Sequence, residues 1–191
     1  MSTAIRFADL TKSPWPNGAG RKADIAAGPI GDDGKPDWLL AYAWLDADAP
    51  FSDYTGHDRT ITLVSGVGFI LEFAENPPKV PVPLIIDAPF RPTSFDGGIP
   101  AQCRLPAGAC LVLNAMSRRG RWRHRVTTAS SRAPLPAVAG VRFIVVLRGR
   151  CSLGGALLNP RDAVLVTDAA ELAAASDCLL AVAQFEPAAA P

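Results

Sequence analysis

Histidine is scarce in this chain, and its two copies stand far apart. His57 and His124 are the only histidines, and no His-x-His pair occurs. Protein sites for zinc and related metals usually collect several His, Cys or carboxylate ligands. We therefore expect no bound metal and no other cofactor, and we interpret His57 as a surface loop residue.

Cysteine pairs with CxxC spacing are also missing. The four cysteines, at positions 103, 110, 151 and 178, exclude a zinc knuckle and a thioredoxin-type redox site. The first 15 residues lack the apolar centre of a secretory signal, and no apolar run approaches the length that spans a bilayer. These absences predict a cytoplasmic protein with four reduced thiols, most of them buried.

An excess of charge of either sign is absent. With 19 basic and 18 acidic residues the net charge is +1, which gives no reason to expect a nucleic acid or an anionic membrane as partner. One basic segment stands out, SRRGRWRHRV at 117–126, whose alternate arginines share one face when the chain is extended. Such segments bind nucleic acid in some proteins and guard exposed sheet edges in others. We favour the edge-strand interpretation because the whole chain is nearly neutral.

Proline and glycine are plentiful, with 18 and 16 copies, and they separate short apolar runs. This pattern predicts many short strands and little helix. The segment 59–66 (RTITLVSG) is echoed by 142–149 (RFIVVLRG), and 105–113 is echoed by 158–166 in the same order. Strand, Gly turn, strand, Pro turn, strand is the rhythm of a small jelly roll.

Two such units predict an all-β chain made of two fused jelly-roll barrels in one compact body. We place the first half at approximately 1–130 and the second at 131–191, with the N-terminal strands free to pair with the second barrel.

The segment HDRTITLVSG at 57–66 poses the main functional question. In a strand, Arg59 falls on the same face as Ile61 and Leu63, which predicts that its guanidinium points inward. A buried charge without a partner is costly. Two interpretations stay open, because strand parity locates the side chain but not its partner. One is an internal ion pair with Asp53, Asp58 or Glu72; the other is a fork for a carboxylate or phosphate ligand.

Two further segments offer candidate site residues. The stretch SPWPNGAG at 13–20 is a specified turn whose backbone amides could approach a ligand, although Trp15 could equally plug the core. Arg118 and Arg119 follow a strand end, which favours the rim of a pocket.

Three of these stretches resemble motifs of the HutD/Ves family. They are WPNGAG at 15–20 followed by DIA at 24–26, APFSDYTGHDR at 49–59, and LNAMSRRG at 113–120. The similarity runs from about residue 10 to 125 in the family's order. Three positions depart from the family pattern: Ala19 interrupts its glycine run, Lys22 stands where Thr is common, and Asp24 replaces the usual Glu.

The resemblance implies a bicupin without the usual metal ligands. Family members are often encoded near enzymes of histidine utilisation, and a role in regulating that pathway by binding an acid such as formylglutamate or urocanate is implied. Our leading hypothesis is therefore a metal-free bicupin that binds a small carboxylate and acts as a regulator or sensor. In it Arg59 forms the charged fork, Asn114, Arg118 and Arg119 line the rim, and Trp15 and Asn17 close one side.

Two other functions stay open. A metal-independent cupin enzyme, of the isomerase or lyase type, would need a general base, for which His57 is the candidate. A protein-interaction module would instead show a large exposed apolar patch and a sealed barrel interior. The sequence favours a non-enzymatic role and leaves a homodimer open.

Overall fold

The regular secondary structure of the described residues is almost entirely β-strand, which confirms the all-β prediction. The computed structural model describes residues 3–15, 17–75, 81–130, 140–153, 155–166, 172–174 and 178–189, to which the statements below apply. Helix within these ranges is limited to one 3₁₀ turn, Phe7–Asp9. The strands are β1 (Thr3–Ile5), β2 (Ser13–Pro14), β3 (Gly20–Ala27), β4 (Trp38–Leu45), β5 (Ala49–Pro50), β6 (His57–Ser65), β7 (Phe69–Phe73), β8 (Leu84–Ile86), β9 (Pro92–Asp96), β10 (Ala101–Arg104), β11 (Cys110–Arg118), β12 (Trp122–Ala129), β13 (Val141–Arg148), β14 (Cys151–Leu153), β15 (Ala156–Leu158), β16 (Ala163–Val166), β17 (Leu172–Ala174) and β18 (Leu179–Pro187).

These strands form four antiparallel sheets that stack as four layers. The first layer has the strand order β5-β10-β7-β8, and the second has the order β2-β3-β4-β11-β6-β9. The third layer is β1-β16-β13-β18-β12, and the fourth is β15-β14-β17. Layers one and two make one jelly-roll half, and layers three and four make the other. Each half is a sandwich of two separate sheets.

Three large hydrophobic clusters fill the spaces between the layers, and Leu39, Ala41 and Met116 form a fourth, small cluster. The cluster in the first half includes Ile61, Leu63, Phe69 and Val112; the cluster between the halves includes Trp38, Tyr42, Phe143 and Phe185; and the cluster in the second half includes Ile144, Val146 and Leu153. Strands β4 and β11 are buried on both faces because the six-stranded sheet has a layer on each side. This central sheet positions the candidate site.

The two segments that echo each other in sequence occupy matching places. Strand β6 leads through Gly66 into β7 of its half's smaller sheet, and β13 leads through Gly149 into β14 of the other small sheet. Both glycines have positive φ, 107° and 77°, which suits a turn that glycine adopts without strain. The neighbours match as well, since β11 lies beside β6 and β16 lies beside β13.

The first part of the chain also contributes strands to the second half. The N-terminal strand β1 pairs with β16, and β12 pairs with β18, so both extend the sheet of the second half. The boundary expected near residue 130 adjoins 131–139, which lies outside the described residues. By strand pairing, β12 belongs with the second half although it precedes that boundary.

Strand β12 carries the basic segment and lies at the edge of the five-stranded sheet. Arg123 and Arg125 are exposed, whereas Trp122, His124 and Val126 turn toward the neighbouring layer. This is the placement that the edge-strand interpretation predicts.

All four cysteines are buried and none forms a disulfide bond, in agreement with the prediction of reduced and mostly buried thiols. Among the described residues, no helix has the length and apolar character needed to cross a membrane.

The packing between the halves generates the first prediction. Phe185 is fully buried and packs against the rings of Trp38 and Phe143, at centroid distances of 4.8 and 6.4 Å. We expect Phe185→Ala to lower the free energy of unfolding by about 3–5 kcal/mol, because it leaves a cavity in this cluster. Urea denaturation measures the change. The control Leu157→Ala, at an exposed side chain, should stay within about 0.5 kcal/mol of the wild type. Equal effects of the two substitutions would contradict this description of the interface.

Candidate functional site

Arg59 lies inside the first half, on the face of β6 that strand parity predicts. Its residue is 4% exposed, and Ile61 and Leu63 on the same face belong to the core of this half. Burial lowers the pKa of Arg59 to about 10, because desolvation disfavours the charged form. At neutral pH the guanidinium is still charged, so the fold holds a cation among apolar side chains.

One hydrogen bond and two aromatic rings hold the guanidinium in place. Its Nε donates to Oδ1 of Asn114 over 3.0 Å, and its Cζ lies 4.2 Å from the ring centroid of Phe51 and 5.8 Å from that of Phe95. Since Nε–H can only donate, it is the amide oxygen of Asn114 that faces Arg59. The two terminal nitrogens of Arg59 make no hydrogen bond to any described residue. The fork is oriented, but the four N–H donors of its two terminal nitrogens are unused by the described residues.

The internal ion pair is not what the structure shows. None of the described carboxylates lies within ion-pair distance of Arg59, and the three acids considered from sequence have other partners: Asp53 accepts from Thr55, Asp58 pairs with Arg119, and Glu72 pairs with Arg104. That interpretation is wrong for the described part of the chain. Asp58 follows the parity rule, since it neighbours Arg59 on the strand and faces the opposite way.

A cavity of about 200 Å³ opens beside Arg59. Its walls combine apolar side chains with a few polar ones, which is the usual make-up of a small-molecule site. The apolar part includes Trp15, Leu39, Ala41, Ala43 and Met116, and the polar part includes Lys22, Ser52, Tyr54, Arg59 and Asn114. Tyr42 also lines the cavity, but its hydroxyl donates to the carbonyl oxygen of Arg161.

Three polar residues of this cavity were missed by the sequence reasoning. Ser52 and Tyr54 make no side-chain hydrogen bond to described residues, so their hydroxyls are available to a ligand. Lys22 donates to both carboxylate oxygens of Asp24, over 3.0 and 2.9 Å. The signals were present, because Ser52 and Tyr54 belong to the second family-like motif, and Lys22 was noted only as a departure from the first.

The N-terminal turn contributes one of its two candidate residues. Trp15 lines the cavity, and its ring lies so close to Gly20 that a Cβ there would clash with it. Asn17 is exposed and not among the cavity's lining residues; its Oδ1 accepts the backbone N–H of Ala19 over 3.1 Å. Asn17 therefore shapes the turn that carries Trp15. Pro16, between them, lies outside the described residues.

Arg118 and Arg119 are not brought to the cavity. Arg118 donates to Asp33 and to the buried carboxylate of Asp37, with the shortest contacts at 2.6 and 2.9 Å. Arg119 pairs with Asp58 and Asp96, both at 3.0 Å. Their place after a strand end suggested a pocket rim, but acids of neighbouring loops and strands engage both guanidinium groups.

The expectation of a surface-loop His57 is wrong. His57 is 0% exposed, and it begins strand β6 on the inward face. Its Nε2 lies 3.0 Å from the carbonyl oxygen of Pro36, and its Nδ1 lies 3.3 Å from that of Thr55. Both ring nitrogens face backbone carbonyls, so neither is directed at the cavity. Sequence parity placed Arg59 correctly and, applied to His57, would have placed it inside as well.

His124 forms a second polar cluster, on the other face of the central sheet. Its Nε2 lies 2.8 Å from Oγ1 of Thr60, and its Nδ1 lies 2.7 Å from Oγ of Ser117. Thr60 is also 2.7 Å from the hydroxyl of Ser94. Burial lowers the pKa of His124 to about 4, because the charged ring would be poorly solvated there. This network ties the edge strand β12 to strands β6 and β11, which carry Arg59 and Asn114.

Comparison with known proteins identifies the family. A family model described as HutD matches residues 7–182. The chain belongs to the HutD family. A relative from Pseudomonas putida, described as an uncharacterized 21.2 kDa protein in the hutC 3′ region, is 31% identical over 123 residues. That match spans 64% of this chain and 61% of the relative, and its genomic place links the family to the histidine-utilisation locus.

Solved structures agree on the fold of this HutD-family chain. HutD from Pseudomonas fluorescens SBW25, described for a formate condition, matches with a TM-score of 0.82 and 21% identity, covering 99% of this chain and 100% of that one. The bacterial pirin YhhW from Escherichia coli, in complex with nickel(II), matches with a TM-score of 0.64 and 10% identity over 99% and 100%. At these identities the likeness shows the fold alone, and it confirms the cupin-type, two-jelly-roll architecture.

Cupin-type folds commonly hold a metal, but the residues present here do not fit one. His57 lies against the Pro36 and Thr55 carbonyls, while His124 lies on the opposite face of the central sheet, bound to hydroxyls. The described residues contain no group of three or more His, Cys, Asp or Glu side chains with metal-binding geometry. The cavity's charged centre is Arg59, whose guanidinium is a donor of hydrogen bonds and no metal ligand.

The unpaired cation generates a prediction about stability. We expect Arg59→Met to raise the free energy of unfolding by about 1–2 kcal/mol in carboxylate-free buffer, because an apolar chain of similar length replaces a desolvated charge. Chemical denaturation at pH 7 measures it. The contrast variant Arg118→Met should lower stability, since it strips a partner from the buried Asp37. A large loss of stability in Arg59→Met would show that the guanidinium is structurally satisfied.

The His124 network generates a prediction about pH. Its lowered pKa means that the unfolded chain binds more protons than the folded chain between about pH 4 and 6.5. The contribution of His124 to the free energy of unfolding is therefore fully present above pH 6.5. It decreases as the pH is lowered, by about 2 kcal/mol between pH 7 and pH 5. The His124→Gln variant should lack this part of the pH dependence, as measured by denaturation at both pH values. Equal pH slopes in variant and wild type would contradict the assignment.

Proposed function

We propose that this protein binds a small carboxylate in the cavity beside Arg59 and acts as a metal-free regulator or sensor linked to histidine utilisation. One observation supports this most: a buried guanidinium lines a cavity, its two terminal nitrogens donate to no described residue, and no described acid neutralises it. An uncompensated charge is expensive, so its retention favours a partner that arrives from outside.

The chemistry of the fork favours a carboxylate. A guanidinium offers parallel N–H donors that match the two oxygens of a carboxylate, and such a bidentate contact contributes about 1.5–3 kcal/mol. Asn114 occupies Nε, which leaves the two terminal nitrogens of Arg59 directed away from it. Phe51 and Phe95 flank the charge and limit its contact with water, which strengthens the attraction to an anion.

The dimensions of the cavity favour a ligand smaller than a typical drug molecule. Its volume of about 200 Å³ is below the range that usually holds such molecules. A single bidentate contact gives only weak binding, so further contacts are needed. The hydroxyls of Ser52 and Tyr54 and the apolar wall around Met116 supply them in this proposal. Formylglutamate and urocanate are candidate ligands from the family's link to histidine utilisation.

The contacts of His57 favour a binding role over the enzyme alternative. The isomerase or lyase hypothesis needed His57 as general base, and its ring nitrogens lie against the carbonyls of Pro36 and Thr55. The interaction-module alternative required a sealed interior, whereas the first half contains an accessible cavity. We place the protein in the cytoplasm, in keeping with four buried cysteines that form no disulfide bond.

The test is a titration of the protein with formylglutamate, urocanate or acetate, in which calorimetry measures the heat of binding. We expect at least one of these acids to bind the wild type and Arg59→Met to weaken that binding by about 10- to 150-fold, the loss of one bidentate contact. The matched control Arg125→Met removes an exposed arginine of β12 and should bind like the wild type.

Binding of the acid should also raise the melting temperature of the wild type but not of Arg59→Met. Absence of heat and of thermal stabilisation with all three acids would overturn the proposal. Equal binding by Arg59→Met would place the ligand elsewhere and overturn it as well.

A further inference from the structure

A second cation, Lys22, reaches the same cavity as Arg59. Lys22 lies on β3, and Arg59 lies on β6, with β4 and β11 between them in the central sheet. Neighbouring strands are about 4.8 Å apart, so three such steps give roughly 14 Å across the sheet. The strand pairing aligns Lys22, through Ala43 and Val112, with Leu63, which is four residues, roughly 13 Å, along β6 from Arg59. The two backbones are therefore roughly 20 Å apart, and the two long side chains shorten the distance between the charges. The side chain of Lys22 is 41% exposed, whereas Arg59 is buried. The cavity therefore runs from a buried cation to a cation at its mouth.

Among the described residues, the ammonium of Lys22 is held only by an exposed ion pair. Its partner Asp24 lies two residues along the same strand and is 42% exposed. Exposed pairs of this kind contribute little to stability, because water and salt compete for both charges. The cavity is lined by Lys22, and Asp24 is not among its lining residues. The ammonium, with three donors on a flexible stem, can turn to an anion in the cavity without breaking buried structure.

The wall between the two cations is mostly apolar. Ala41 and Ala43 of β4 and Met116 of β11 line this middle part, since β4 and β11 separate the strands of Lys22 and Arg59. The polar exception is Asn114 of β11, whose amide oxygen already accepts from Arg59. A chain of methylene groups matches such a wall, whereas a polar middle would lose its hydration there. The sequence of groups along the cavity is thus cation, apolar wall, cation.

We propose that the cavity selects dicarboxylates, with one carboxylate on Arg59, an aliphatic spacer against Ala41, Ala43 and Met116, and the second carboxylate on Lys22. This inference rests on the proposed carboxylate site and adds the class of ligand to it. Lys22 is then a specificity-determining residue, which releases Asp24 when the ligand binds.

The experiment compares glutarate with its monoamide, 4-carbamoylbutanoate, by calorimetric titration. The two probes have nearly the same size, and one carboxylate of the first is a neutral amide in the second. We expect the wild type to bind glutarate roughly tenfold more tightly than the monoamide, and Lys22→Gln to bind both equally. The monoamide should bind Lys22→Gln and the wild type alike, since it engages Arg59 in both.

A second variant tests the competition for Lys22. Asp24→Asn frees the ammonium and should tighten glutarate binding severalfold while leaving the monoamide unchanged. Equal affinity of the wild type for the two probes, with both still dependent on Arg59, would overturn the dicarboxylate inference and leave the carboxylate site standing. Failure of both probes to bind, together with the three acids above, would overturn the site itself.

Discussion

The candidate site depends on one physical constraint: a guanidinium is held inside an apolar sandwich without an acid beside it. Desolvation makes the charged form of Arg59 less favourable, as the lowered pKa reflects. The surroundings offset only part of this cost, through the Asn114 oxygen and the faces of Phe51 and Phe95. Each of these contacts leaves the two terminal nitrogens available. The same contacts that keep the cation folded into the protein therefore also aim it at the cavity.

The layered architecture explains how such a charge is held rigidly. The six-stranded sheet is packed on both faces, so the strands that carry Arg59 and Asn114 cannot shift without disturbing two clusters. On β6 the neighbours Arg59 and Thr60 point to opposite faces, one to the cavity and the other to His124 of the second half. The interface between the halves thus fixes the strand that presents the charge. The second half therefore contributes to the site through this interface.

Much of the fold followed from local pattern, because strand periodicity and turn residues are local properties. The alternation of side chains predicted that Arg59 points inward and that Arg123 and Arg125 share one face, which is exposed in the structure. The repeated Gly turns marked the two points at which the chain passes from one sheet to the next. The site's other members come from strands and loops that are distant in sequence, so their convergence depends on the order of strands in the central sheet. For this reason Lys22 and Tyr54 were missed. The rim assigned to Arg118 failed because periodicity says nothing about which acids meet a side chain.

Several acids lie close to Arg59 in the sequence. The fold nevertheless directs their carboxylates elsewhere, so Arg59 has no counter-ion among the described residues. Asp58 is adjacent in sequence but faces outward by strand parity, where Arg119 binds it. Asp53 is close as well, but the backbone and hydroxyl of Thr55 occupy its carboxylate. A single substitution that placed an acid opposite the fork would remove the cost of the charge and close the cavity to anions. Stability and the proposed binding of an anion therefore make opposite demands on this position, and the described residues around Arg59 leave its charge without a counter-ion, as the proposal requires.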